Sequence, residues 1–90
     1  MLTRPARLPR SPFTLLSQRE QEVLQLVALD NTDREIAAQL GIGERTVRAH
    51  VSRIILKLGV ASRVGAAVAF VQWTMRGGTG EYGLFEVKRG

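Results

Sequence analysis

The residues best suited to chemistry lie in one short segment of the chain. Arg45, Arg48 and Arg53 occur there with Ala49 and Ser52 between them. A guanidinium group can bind a phosphate, or the O6 and N7 acceptors of guanine, through two hydrogen bonds at once. A small apolar group such as the Ala49 methyl can contact a thymine methyl. The chemistry indicated is recognition of a nucleic acid rather than catalysis.

The same segment carries an apolar pattern that predicts how the basic residues are held. Val47, Val51, Ile54 and Leu58 repeat at helical spacing and predict an amphipathic helix over 44–58. Because these four side chains must face a core, the arginines lie on the outward side of the helix.

A shorter predicted helix, 33–40, comes immediately before. It opens with the capping box Thr32-Asp33-Arg34-Glu35 and is followed by Gly41, which tolerates the positive φ needed for a sharp turn. Two helices joined by a short turn containing glycine are typical of the helix-turn-helix, whose second helix enters the DNA major groove.

Charge is distributed unevenly along the chain. The formal net charge is +5, yet residues 17–42 hold two arginines against five acids. Residues 43–63 hold five basic residues against one acid. This segregation favours a surface that binds a polyanion, although an ordinary solvated surface is the alternative.

Several functional classes are disfavoured. The absence of cysteine excludes disulfides and thiolate metal sites. No apolar run reaches the roughly 18 residues of a membrane span, and no secretory signal is evident, so we expect a cytoplasmic protein that makes no membrane contact. There is no catalytic carboxylate pair or phosphate-binding glycine loop, and we expect the single histidine, His50, to be a packed, hydrogen-bonded residue. We therefore predict no enzymatic activity, no cofactor and no metal site.

Two further helices and two flanking segments complete the predicted all-α fold of four helices. The first helix, 18–29, starts at the capping box Ser17-Gln18-Arg19-Glu20. Residues 1–14 contain three arginines and three prolines, which predict a flexible basic arm or linker. Residues 77–90 are rich in glycine and predict a flexible tail, which leaves 15–76 as the folded domain.

The predicted fourth helix, α4, covers 63–75 and is apolar on nearly every side. Ala66, Phe70 and Trp73 cluster on one face, and a small domain can hardly bury both faces. We define the α4 stripe as the opposite face; it predicts a partner site unless the tail folds back over it. Its members are Val64, Val68, Val71 and Met75.

In combination these motifs resemble the LuxR-type, or GerE-like, helix-turn-helix domain. The resemblance covers about residues 15–76, all four helices in order, and implies a bacterial transcription regulator that binds double-stranded DNA as a dimer. The segments that carry it are Leu16-Ser17-Gln18-Arg19-Glu20-Gln21-Glu22-Val23-Leu24, Arg34-Glu35-Ile36-Ala37, Glu44-Arg45-Thr46-Val47-Arg48-Ala49-His50-Val51, Lys57-Leu58-Gly59-Val60 and Ser62-Arg63.

The resemblance also assigns roles to individual residues. Base contacts are expected from Arg48, Ala49 and Ser52, and the α4 stripe is expected at the dimer interface, with Ala66, Ala67 and Phe70 in the core. Ser52 is shorter than the basic residue of some relatives, and Gly43 replaces their usual serine cap. Contacts to the DNA backbone are expected from Thr32, Arg45, Thr46, Lys57 and, on the same outward side, Arg53.

A second hypothesis is a protein-interaction module that contacts RNA polymerase or another regulator through the fourth helix. The basic side of the third helix distinguishes the two hypotheses, since protein binding does not require it. Family members commonly carry an additional N-terminal receiver or ligand-binding domain. We expect either a stand-alone regulator or a piece of a longer protein.

Overall fold

The computed structural model describes residues 12–77, in which four α-helices follow a short 3₁₀ turn. No strand occurs within these residues, so the predicted all-α fold is confirmed. The bounds are Pro12–Leu15 for the 3₁₀ turn, Gln18–Ala28 for α1, Asp33–Leu40 for α2, Glu44–Leu58 for α3 and Arg63–Met75 for α4.

Both predicted capping boxes are present. The Glu20 amide donates to Ser17 Oγ over 3.1 Å, and the Ser17 amide donates to Glu20 Oε1 over 2.9 Å. Thr32 and Glu35 make the equivalent pair at the start of α2. These reciprocal bonds satisfy amides that the first helical turn leaves without partners.

The turn between α2 and α3 depends on Gly41. This residue has a φ of 69°, in the left-handed region, and its amide donates to Ala37 O over 2.8 Å. Gly43 then begins α3 with extended backbone and no side-chain hydrogen bond to the first turn. The sequence predicted both features, because glycine adopts positive φ freely and offers no capping oxygen.

The core lies between α1, α3 and α4, with α2 packed mainly against α3. The predicted inward side of α3 is buried at Val47, Val51 and Ile54. On α4, Ala66 and Phe70 are buried, whereas Ala67 and Trp73 are half-buried. Other core members are Leu16, Val23, Leu24, Val27, Ile36 and Ala37.

The folded unit begins earlier than predicted. The predicted flexible arm includes residues 12–14, but these residues belong to the 3₁₀ turn, and Phe13 is buried. The Phe13 ring stacks on Trp73 with 4.6 Å between centroids and meets Phe70 edge to face at 6.2 Å. Proline is tolerated in the first turn of a helix, so Pro12 starts this turn rather than preventing it.

The rest of the predicted arm, 1–11, and all but the first residue of the predicted tail, 77–90, lie outside the described residues. Within residues 12–77 no single helix is long and apolar enough to cross a membrane; α3 and α4 together reach that length and composition, but the pair is bent by 62°. The same residues hold no group of three or more His, Asp or Glu side chains arranged to bind a metal ion.

Candidate nucleic-acid interface

We define the outward face of α3 as the exposed residues opposite its buried side. Every predicted base-contact residue lies on it, and so do three of the predicted backbone contacts. The members are Arg45, Thr46, Arg48, Ala49, Ser52 and Arg53. Leu56, also on the exposed side near the helix end, is 74% exposed. The face therefore presents three guanidinium groups, two hydroxyl groups and a methyl group to solvent.

Thr32 lies apart from that face, at the N-cap of α2. Its hydroxyl oxygen accepts a hydrogen bond from the Glu35 amide over 3.1 Å, and the residue itself is exposed. The capping box engages the Thr32 and Glu35 amides. This leaves the Asp33 and Arg34 amides and the positive end of the helix dipole for a phosphate. Thr32 is thus placed where an anion could bind, although Asp33 and Glu35 lie in the same turn.

Arg48 has two acidic neighbours. Its Nη1 is 3.9 Å from Glu44 Oε1, one helical turn earlier, and 4.0 Å from Asp33 Oδ2 on α2. Its side chain is nevertheless 58% exposed. Solvent screening makes such pairs weak, so the guanidinium group can leave them for a stronger acceptor.

Asp33 is itself held by α4. The Arg63 guanidinium group donates to Asp33 Oδ1 and, over 2.9 Å, to the Asn31 carbonyl oxygen. This contact joins the start of α4 to the start of α2, beside the outward face of α3. Sequence reasoning missed it, since the two residues lie 30 positions apart. The available signal was a lone cation at the start of an apolar helix.

Lys57 does not stand free at the end of α3. Its Nζ donates to Glu20 Oε1 over 2.8 Å, and Glu20 is only 3% exposed. Burial alone would raise the pKa of Glu20. The hydrogen bonds from Lys57 and the Ser17 amide, with the nearby positive charge, outweigh burial and hold that pKa below its ordinary value. Lys57 therefore stabilises the fold, and a phosphate would have to compete with Glu20 for its ammonium group.

The prediction that His50 is hydrogen-bonded is wrong at its Nδ1 atom. The side chain is half-buried, as expected, but its Nδ1 atom is buried and has no hydrogen-bond partner within residues 12–77. Sequence reasoning predicted the packing from the helical position but could not supply a partner.

The α4 stripe is exposed along its whole length. The exposed fractions range from 42% at Val71 to 80% at Met75. The opposite side of the helix is buried at Ala66 and Phe70, as the sequence predicted. Single exposed apolar residues are ordinary, but four at helical spacing form a continuous surface of the kind that marks a partner site.

Residues 14–70 match the family of bacterial regulatory proteins described as the luxR family. The spore germination protein GerE of Bacillus subtilis is 47% identical over 58 residues, which are 64% of this chain and 78% of that protein. The nitrate/nitrite response regulator protein NarP of Escherichia coli is 41% identical over 61 residues, which are 68% of this chain and 28% of that protein.

A solved structure gives the same result for the fold. The transcription factor GerE aligns with a TM-score of 0.61 and 42% identity, covering 67% of this chain and 90% of that one. Several relatives are much longer than the matched region: the matches span 28% of NarP and 32% of the B. subtilis regulatory protein YhcZ.

Proposed function

This chain belongs to the luxR family of bacterial regulatory proteins, and we propose that it binds a specific DNA sequence as a regulator of transcription. In this proposal α3 lies in the major groove. GerE, NarP and YhcZ carry names of regulators or of a transcription factor, which supports the general function. A regulator of chromosomal DNA would act in the cytoplasm.

The observation that carries the proposal is the division of α3 into two sides. Val47, Val51 and Ile54 are buried, while Arg45, Arg48 and Arg53 are exposed. A helix whose basic side projects from its support can enter a groove about 12 Å wide.

Roles within the interface follow from chemistry. Arg48 could bind guanine through two hydrogen bonds, Ala49 could contact a thymine methyl and Ser52 could bond to a base edge. Arg45, Thr46 and Arg53, with Thr32 on α2, would bind phosphates and fix the position of α3. Lys57 would also bind a phosphate only if its ammonium group contacted Glu20 and the phosphate at the same time.

We propose further that two copies associate through the α4 stripe. A twofold dimer contacts itself through the same surface on each copy, and the stripe is exposed, apolar and separate from the outward face of α3. Two recognition helices would then reach half-sites about one helical turn apart, roughly 34–36 Å.

A binding titration tests the DNA-binding proposal. A target is selected from a random duplex library, and its affinity is measured by fluorescence anisotropy at several salt concentrations. We expect log K to fall linearly with log salt, with a slope of about −0.9 for each phosphate neutralised. If no duplex binds even at low salt, the proposal fails, and the stripe would instead favour a module that contacts RNA polymerase or another protein.

A further inference from the structure

We propose that Asp33 is a positioning residue for Arg48, and that it increases discrimination between the target sequence and other DNA. This inference rests on the proposed function. Asp33 is the first residue of α2, and its two carboxylate oxygens face different helices. Oδ2 lies 4.0 Å from Arg48 Nη1 on α3, while Oδ1 accepts a hydrogen bond from Arg63 on α4.

The Asp33 carboxylate is held more firmly than the arginine it faces. Its side chain is only 20% exposed, against 58% for Arg48, and Arg63 is anchored in turn by the Asn31 carbonyl oxygen. Glu44, the other acid near Arg48, is 48% exposed and lies on the same helix. Asp33 is therefore a fixed negative charge beside a movable guanidinium group.

A fixed carboxylate affects two kinds of complex differently. On DNA without the target sequence, a phosphate must compete with Asp33 for Arg48, and the carboxylate also repels that phosphate. On the target, Arg48 binds an uncharged base edge, which the carboxylate does not repel as it repels a phosphate. Asp33 thus weakens non-target binding more than it weakens target binding.

Asp33→Asn tests this inference, with Asp30→Asn as the matched control. Both changes remove one negative charge. Asp30 is exposed in the turn between α1 and α2, where its φ of 69° suits asparagine. Affinity is measured for the selected target and for a scrambled duplex of equal length, at the same salt concentration.

We expect Asp33→Asn to tighten binding to the scrambled duplex by about two- to fivefold, the range for a screened ion pair, while the target gains less. The ratio of the two affinities then falls. Asp30→Asn should change both affinities alike. A variant that had merely lost folded protein would bind both duplexes more weakly, which is the opposite direction.

A double-mutant cycle separates action through Arg48 from a general effect of charge. In the Arg48→Ala background, Asp33→Asn should change binding no more than Asp30→Asn does. The inference is overturned if wild-type protein discriminates between the duplexes but Asp33→Asn leaves the ratio unchanged, or if the effect persists without Arg48. Failure of the wild-type protein to bind either duplex would instead overturn the proposed function.

Discussion

The exposed sides of α3 and α4 differ although both helices pack on the same core. Each helix buries one side against α1, but the outward face of α3 is rich in arginine, whereas the α4 stripe consists of three valines and a methionine. A charged exposed side remains soluble without a partner, while an apolar one gains free energy when it is covered. This difference supports the two proposed partners, a polyanion for α3 and a second copy's apolar surface for α4.

The largest expected effect comes from placing the same substitution on the two helices. Val51 on α3 is 9% exposed, and Val68 on α4 is 49% exposed. We expect Val51→Asp to cost more than about 3 kcal/mol, because it buries an unpaired charge. A domain this small has little more stability than that, so circular dichroism should show an unfolded chain.

Val68→Asp should behave differently. Since the side chain is half exposed, the cost to the monomer should be less than about 1 kcal/mol. Sedimentation should show loss of the dimer, with weaker binding to a two-half-site target. A dimer that survives Val68→Asp would place the interface elsewhere.

The next effect distinguishes the proposed DNA-binding roles of Arg48 and Lys57 on α3. Arg48→Ala should cost about 1–3 kcal/mol of discrimination at one base position, while Lys57→Ala should weaken binding to all sequences alike. Self-association should survive in both variants, because neither residue lies on the α4 stripe.

Lys57→Ala also leaves the buried Glu20 carboxylate without its cation, so binding is measured below the unfolding temperature of the variant. Loss of base preference in Lys57→Ala but not in Arg48→Ala would reverse the two assignments. Competition titrations against single-base variants of the target distinguish these outcomes.

A smaller effect concerns the ion pair between Glu20 on α1 and Lys57 on α3, which lies on neither exposed side. Glu20→Gln retains an acceptor for the Ser17 amide but removes the charge that faces Lys57. We expect a loss of about 1–2 kcal/mol in the free energy of unfolding near pH 7. This is at the low end of the range of about 1.5–3 kcal/mol for hydrogen bonds to charged groups, because Lys57 is 37% exposed and solvent screens the pair. Both exposed sides should remain intact in the folded fraction.

The loss should depend on pH. A glutamate in an unfolded chain has a pKa of about 4.3, and the folded pKa of Glu20 is lower. The stabilisation is therefore complete above the unfolded value and is lost as the pH falls through the folded value. Urea denaturation from pH 6 to pH 3 should show the difference between wild type and Glu20→Gln shrinking; a constant difference would contradict the ion pair.

The smallest expected effect is a change in stability that alters neither the outward face of α3 nor the α4 stripe. Among the four described helices, α3 alone has no side-chain N-cap, and a Cβ atom at Gly43 would meet nothing within 4 Å. Gly43→Ser should stabilise the fold by a few tenths of a kcal/mol, measurable by thermal unfolding. Target affinity and self-association should not change, since Gly43 precedes the outward face.

Local patterns in the sequence predicted most of the fold. The bounds of α2, α3 and α4 follow from capping residues, glycines and apolar spacing, all of which act within a few positions. Helix α1 ends one residue before the predicted Leu29, which forms its C-cap. The 3₁₀ turn was missed because Phe13 is buried against Phe70 and Trp73, far along the chain.

The candidate site shows the same limit. Apolar spacing on α3 was sufficient to predict which side its arginines occupy, and their exposure agrees with it. It did not predict that Lys57 pairs with Glu20 or that Asp33 lies between Arg48 and Arg63. These contacts depend on how the helices pack, which periodicity within one helix does not specify.

The stacking of Phe13 on Trp73 gives the chain an intrinsic optical reporter. Trp73 is its single tryptophan, so all indole emission arises from the point where the 3₁₀ turn meets α4. Quenching or a red shift would follow the detachment of that turn while circular dichroism still records intact helices. Detachment of the 3₁₀ turn could thus be observed without attaching a dye.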